Sequence, residues 1–149
     1  MIRNKRITQK IEPRLPLLAE ALRQESDVIF TYLFGSYGKG KVSPLSDIDI
    51  AVYLDKNKVN DIFERKLELN YIVTSVLKTD EVDLIVLNEA SLPLIHQVLM
   101  TGRLLFSKDE ATRITFEVKA QKLYFDAEPL RRISWLALKE RLKDGRFGH

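Results

Sequence analysis

The 149-residue sequence predicts an α/β (α+β) fold in which helices flank a small mixed β-sheet. Three observations lead there. Val28 to Phe34 (VIFTYLF) is a β-branched and aromatic run that ends at Gly35-Ser36. Asp47 to Leu54 (DIDIAVYL) alternates with the two-residue period of a strand. Around these runs lie stretches with the 3.6-residue period of helices, so strands and helices alternate along the chain.

Pro13 to Leu22 sets Leu15, Leu18, Ala19 and Leu22 at helical spacing, with Pro13 suited to a first turn. Val28 to Phe34 follows as a buried strand. Tyr37 to Ser46 holds Gly38, Gly40 and Pro44 with two serines and two lysines, and predicts a loop. In the second strand Ile48, Ile50, Val52 and Leu54 share one face, and Asp47, Asp49, Ala51 and Tyr53 the other. Asn60 to Lys78 predicts an amphipathic helix that buries Ile62, Phe63, Leu67, Leu69, Ile72, Val73, Val76 and Leu77. Val82 to Leu87 is a third strand, apolar except for Asp83. Leu92 to Met100 predicts a helix and Arg103 to Ser107 a short strand. From Asp109 the chain reads as helical to its end, with a break or kink at Pro129. Without repeats, low-complexity tracts or a long linker, residues 1–149 are expected to form a single domain, with a core at about 28–107 and a C-terminal helical element at about 109–143.

Composition narrows the chemistry. At 45% hydrophobic and 30% charged residues the chain has the balance of a soluble globular protein. It has no cysteine, which excludes disulfides, thiolate metal sites and a cysteine nucleophile. His96 and His149 are too few for a histidine-rich metal site, so carboxylates, hydroxyls and backbone remain. The net charge is +3, but the first 14 residues carry +4 and the rest −1. That pattern reads as a solvated basic arm, and nucleic acid is not the expected substrate. No apolar run approaches the roughly 18 residues of a membrane span. No apolar segment follows the basic start either, so export is not expected and the cytoplasm is the default location.

Asp47 and Asp49 are two apart on a strand and project from one face. Such a pair either ends a strand at the solvent edge or repels unless a cation lies between its members. Asp83 interrupts an otherwise apolar strand, where a buried carboxylate needs a basic partner or a metal. If its strand lies beside the second, all three aspartates meet on one sheet face, and three hard oxygen donors suit magnesium. Gly35-Ser36 is either a plain turn or a turn whose backbone amides cradle phosphate oxygens, with the Ser36 hydroxyl as a further donor. Lys39 and Lys41 stand where they can neutralise a polyphosphate, or are lysines of a surface loop.

Taken together, Gly35-Ser36, Asp47-Ile48-Asp49 and the later Asp83 resemble the nucleotidyltransferase superfamily built on the polymerase-beta palm, across roughly Val28 to Ser107. The chain is most similar to the minimal nucleotidyltransferase (MNT) subgroup in its length and in Val82-Asp83-Leu84-Ile85 followed by Leu92-Pro93-Leu94. It departs where many members carry an arginine soon after Gly-Ser; this chain reads Tyr37-Gly38-Lys39-Gly40. The resemblance implies nucleotide binding at Gly35 and Ser36, and the charges of Lys39 and Lys41 make them further candidates for nucleotide binding. It also implies catalysis and binding of two Mg2+ ions at Asp47, Asp49 and Asp83, with ATP as substrate. It further implies an antitoxin that transfers AMP to a tyrosine of a HEPN-domain toxin, with a homo-oligomer or a hetero-oligomer with the toxin both open.

After Ser107 little chain remains to build an acceptor site, so the acceptor is expected on another macromolecule. Phe116, Leu123, Tyr124, Leu130, Trp135 and Leu138 either dock such a partner or cover the sheet. His96 is expected to pack rather than to catalyse. Two further readings stay open: an antitoxin that inhibits by binding alone, and an aminoglycoside-type enzyme that modifies a small molecule.

Overall fold

A central β1 built from VIFTYLF organises the computed structural model, which describes residues 2–35 and 48–143. The order is α1 (Ile2–Arg23), β1 (Val28–Phe34), β2 (Ile48–Leu54), α2 (Ile62–Leu77), β3 (Val82–Val86), α3 (Leu92–Thr101), β4 (Arg103–Ser107), α4 (Glu110–Asp126) and α5 (Glu128–Lys143). The sheet runs β3-β2-β1-β4, with β1 antiparallel to both neighbours and β2 parallel to β3. This is the mixed sheet that the alternating pattern predicts.

The period-two pattern of β2 sorts its side chains as expected. Ile48, Ile50, Val52 and Leu54 join Leu18, Leu22, Leu69 and Val73 in a core between the sheet, α1 and α2. The opposite face carries a second core, in which Phe30, Tyr32, Phe34 and Ala51 meet Ile95 and Val98 of α3 and Ala120 of α4. Phe30 stacks on Tyr53 at 4.7 Å, and Phe116 of α4 closes over both rings at 5.7 and 4.9 Å. Phe116 therefore covers the sheet. At the far end of β2 the Asn88 side chain continues the ladder: its Oδ1 accepts from Leu54 N–H and its Nδ2 donates to Leu54 C=O, both at 2.8 Å.

Three expectations need correction. The first helix begins at Ile2, not at Pro13, and Pro13 and Pro16 lie inside it. Each proline removes one helical donor, yet Ile11, Leu15, Leu18 and Leu22 are all buried, and their packing outweighs the loss. On α2, Leu69, Val73 and Leu77 are buried, but Phe63 and Leu67 point to solvent at 70% and 56% exposure. The buried stripe is narrower than the hydrophobic one. Asp83 is exposed rather than buried: β3 is an edge strand whose Leu84 and Val86 are buried in the first core and whose Ile85 packs partly on the second, while Asp83 stays open to solvent.

One ion-pair network ties the chain before β1 to α2. Arg65 Nε and Nη2 donate to the two Asp27 oxygens at 2.7 Å, and Nη2 also donates to Glu25 at 2.7 Å. Asp27 is only 5% exposed. Burial alone raises its carboxyl pKa, but the Arg65 guanidinium outweighs that and holds it below the usual 3.8. A native pKa below the unfolded one adds stability that is complete above about pH 4 and is lost as pH falls through the native value. Arg65→Met leaves the carboxylate buried and unpaired, and is expected to cost on the order of 3 kcal/mol, read from the urea midpoint at pH 7. Asp27→Asn should flatten the acid limb of the stability curve below pH 4; an acid limb identical to that of the unmodified protein would refute the assignment.

Candidate active site

β-Sheet register brings two of the predicted residues, Asp49 and Asp83, to one end of one face. Asp49 pairs with Phe34 of β1 on one side and with Asp83 of β3 on the other. All lie toward the α3 and α4 side, since Asp49 alternates with Ala51 and Tyr53. Parallel neighbours in register stand about 4.8 Å apart across the ladder, so the two aspartates flank one small volume. Asp83 opens to solvent and Asp49 is half-buried.

Gly35 follows β1 with φ of 70°, the left-handed region that favours glycine. A Cβ there would run into the Asp49 carboxylate oxygen Oδ2, so the absence of a side chain lets the turn close onto Asp49. The Gly35 N–H donates to Thr101 Oγ1 at the end of α3, at 3.3 Å. Nothing in the local sequence singles out Thr101. Its place follows from the β1–β4 pairing, which sets Leu33 against Arg103; continued past the strand ends, it places Gly35 opposite Thr101.

The structure thus assembles Gly35, Asp49 and Asp83. Ser36, Lys39, Lys41 and Asp47 fall outside the described residues. Among the described residues no group of three histidine or acidic side chains is poised around a metal position. The pair that is described supplies hard carboxylate oxygens on one face, a donor set that fits magnesium, which commonly binds one or two carboxylates together with substrate phosphates.

A cavity of about 490 Å³ lies elsewhere on the same face, lined by Tyr53, Lys56, Asn88, Thr112, Phe116 and Lys119 among others. Tyr53 is four residues along β2 from Asp49, about 13 Å at strand rise. The cavity is therefore separate from the carboxylates.

A family model described as "Polymerase beta, Nucleotidyltransferase" matches residues 17–111, the stretch that contains the whole sheet. The chain belongs to this family. This nucleotidyltransferase is similar to the protein adenylyltransferase MntA of Shewanella oneidensis, with 39% identity over 93 residues, 62% of this chain. The match spans 63% of that curated relative's length. Its fold is similar to a chain of a toxin–antitoxin crystal structure with AMP-PNP, at 30% identity and TM-score 0.67, covering 80% of this chain and 94% of that one. It is also similar to a chain of the tri-AMPylated Shewanella oneidensis HEPN toxin in complex with MNT antitoxin. There the identity is 27% and the TM-score 0.68, over 86% of this chain and 98% of that one.

Beyond the sheet, His96 packs as expected. Its ring stacks on Tyr124 at 3.8 Å, and its Nδ1 lies 3.1 Å from Gln121 Oε1. The Arg131 guanidinium covers the other side of the interaction, 3.7 Å from the Tyr124 ring centre, and links α5 to α4. Tyr32 donates to Glu117 of α4, which also accepts from Arg113 at 2.6 Å. Burial, then the Glu117 carboxylate, pushes the Tyr32 phenol well above its ordinary value. Leu130 and Trp135 of α5 are exposed at 69% and 57%, and Leu123 at 43%, while Leu138 is half-buried. Among the described residues no helix is long and apolar enough to cross a membrane.

Proposed function

We propose that the nucleotidyltransferase moves AMP from ATP to a tyrosine hydroxyl of a HEPN-type toxin, and so acts as a magnesium-dependent antitoxin in the cytoplasm. The seating of Gly35 against Asp49, in register with Asp83, carries this reading. The toxin–antitoxin structures of similar chains support the choice of acceptor.

Asp49 and Asp83, with Asp47, would hold the magnesium, which when bound neutralises charge on the α-phosphate and the pyrophosphate. In this reading Gly35 and Ser36 contact the triphosphate, and Lys39 and Lys41 offset its charge. Asp83, exposed at the sheet edge, faces the side from which a large acceptor can approach, and takes the phenolic proton. The tyrosine oxygen forms a bond to the α-phosphorus as the bond to the pyrophosphate oxygen breaks. Positioning and fixed charge supply the rate.

Incubation of the chain with a candidate HEPN partner, magnesium and each α-labelled nucleoside triphosphate tests this. The expected result is label on the partner from ATP, removed by chelation. Inhibition of the toxin without label would replace this reading with an antitoxin that works by binding alone. Label on an aminoglycoside instead would make the chain a small-molecule enzyme. Exposed Trp135 of α5 is the proposed toxin contact. Trp135→Ala is expected to weaken toxin capture by at least about tenfold with unfolding unchanged, as befits a tryptophan anchor. Equal capture by both proteins in a titration would move the contact elsewhere.

A further inference from the structure

We infer that Thr101 is a positioning residue for the nucleotide site, acting through Gly35; this rests on the proposed nucleotidyl transfer. Thr101 Oγ1 makes two hydrogen bonds with opposite roles. It donates to Gln97 C=O one turn back on α3, at 2.8 Å, and accepts from the Gly35 N–H at 3.3 Å. The first bond fixes the hydroxyl hydrogen, which leaves a lone pair directed at the backbone of β1. The second fixes the peptide plane at the residue where the chain leaves the sheet for the segment that contains Ser36, Lys39, Lys41 and Asp47.

Gly35 has a left-handed φ and lies against Asp49 Oδ2, so a rotation of its peptide disturbs that close approach. Thr101 holds this position because the next residue is Gly102. A Cβ at Gly102 would run into the Val98 carbonyl and approach the Tyr32 ring to 3.4 Å. With glycine there, α3 ends and β4 begins within a single residue, and the Thr101 hydroxyl stays opposite Gly35. The hydroxyl thus couples the end of α3 to Gly35 and, through Gly35, to Asp49.

Thr101→Val keeps the branched shape and removes the hydroxyl, whereas Thr101→Ser keeps the hydroxyl. Affinity for AMP-PNP with magnesium reads the site without turnover. The expected result is a five- to tenfold weaker dissociation constant for Thr101→Val, the scale of one hydrogen bond, with near-normal affinity for Thr101→Ser. The Gly35 amide should exchange its hydrogen faster in the valine variant, while the unfolding midpoint of the valine and serine variants stays alike. In the labelling assay the Michaelis constant for ATP should rise with little change in turnover.

Equal AMP-PNP affinity in the valine variant and the unmodified protein overturns the role of Thr101. If valine does not fold, Thr101→Ala against Thr101→Ser makes the same comparison. Tight AMP-PNP binding by the unmodified protein without label on any acceptor overturns the transfer reading, and Thr101 is still judged by its binding constants. No AMP-PNP binding at all overturns both.

Discussion

Asp49→Asn is expected to abolish nucleotide transfer, by at least about a thousandfold, in a protein that still folds. Asparagine has the same shape as aspartate, and the β2 backbone keeps its pairing to Phe34 and Asp83. What changes is one unit of negative charge at the point where the proposed magnesium is held. A thousandfold loss is about 4 kcal/mol of transition-state stabilisation, the scale of losing one charged group that meets charge in the transition state. Asp47→Asn carries the same expectation. Label incorporated per unit time reads the effect, with circular dichroism to show that the fold persists. Unimpaired labelling by purified Asp49→Asn would remove the carboxylate site from the mechanism.

Gly35→Ala should strike activity and stability together. A left-handed backbone costs an ordinary residue about 1–2 kcal/mol. The added methyl also runs into the Asp49 carboxylate, so either the turn or the aspartate must shift. Transfer is expected to fall by more than about a hundredfold, since misplacement by about 1 Å is enough for that. The collision can be separated from the backbone cost by a double-mutant cycle read through urea unfolding. Gly35→Ala should be less destabilising in an Asp49→Ala background, where the opposing oxygen is gone. Equal costs in the two backgrounds would show that the glycine and the aspartate are not in contact in solution.

Much of the fold was legible because single residues carried strong local signals. The alternation of Ile48, Ile50, Val52 and Leu54 fixed the face of β2, and so the face of Asp49. That Asp49 shares a face with Asp83 was legible because side chains alternate along a strand and neighbours in register share a side. Asp83 was placed on the right face but with the wrong exposure: sequence does not say which strand lies at a sheet edge. Pro13 was read as a helix start by local preference, and tertiary burial of Ile11 and Leu15 overrode it. Phe63 and Leu67 show the same limit in reverse, apolar positions on a helical stripe that the core does not reach. Thr101 stayed invisible because its role depends on a pairing between segments far apart in the chain.

β1 lies in the middle of the sheet, and its two neighbours arrive at very different times during synthesis. β2 follows soon after it, whereas β4 is the last strand among the described residues. VIFTYLF has no charge and no proline, the composition of a segment prone to self-association when an edge is bare. At about 5–20 residues per second, that edge waits several seconds for its partner. The order of arrival at the ribosome, rather than the depth of the final native state, therefore sets the interval in which this chain is open to misassembly.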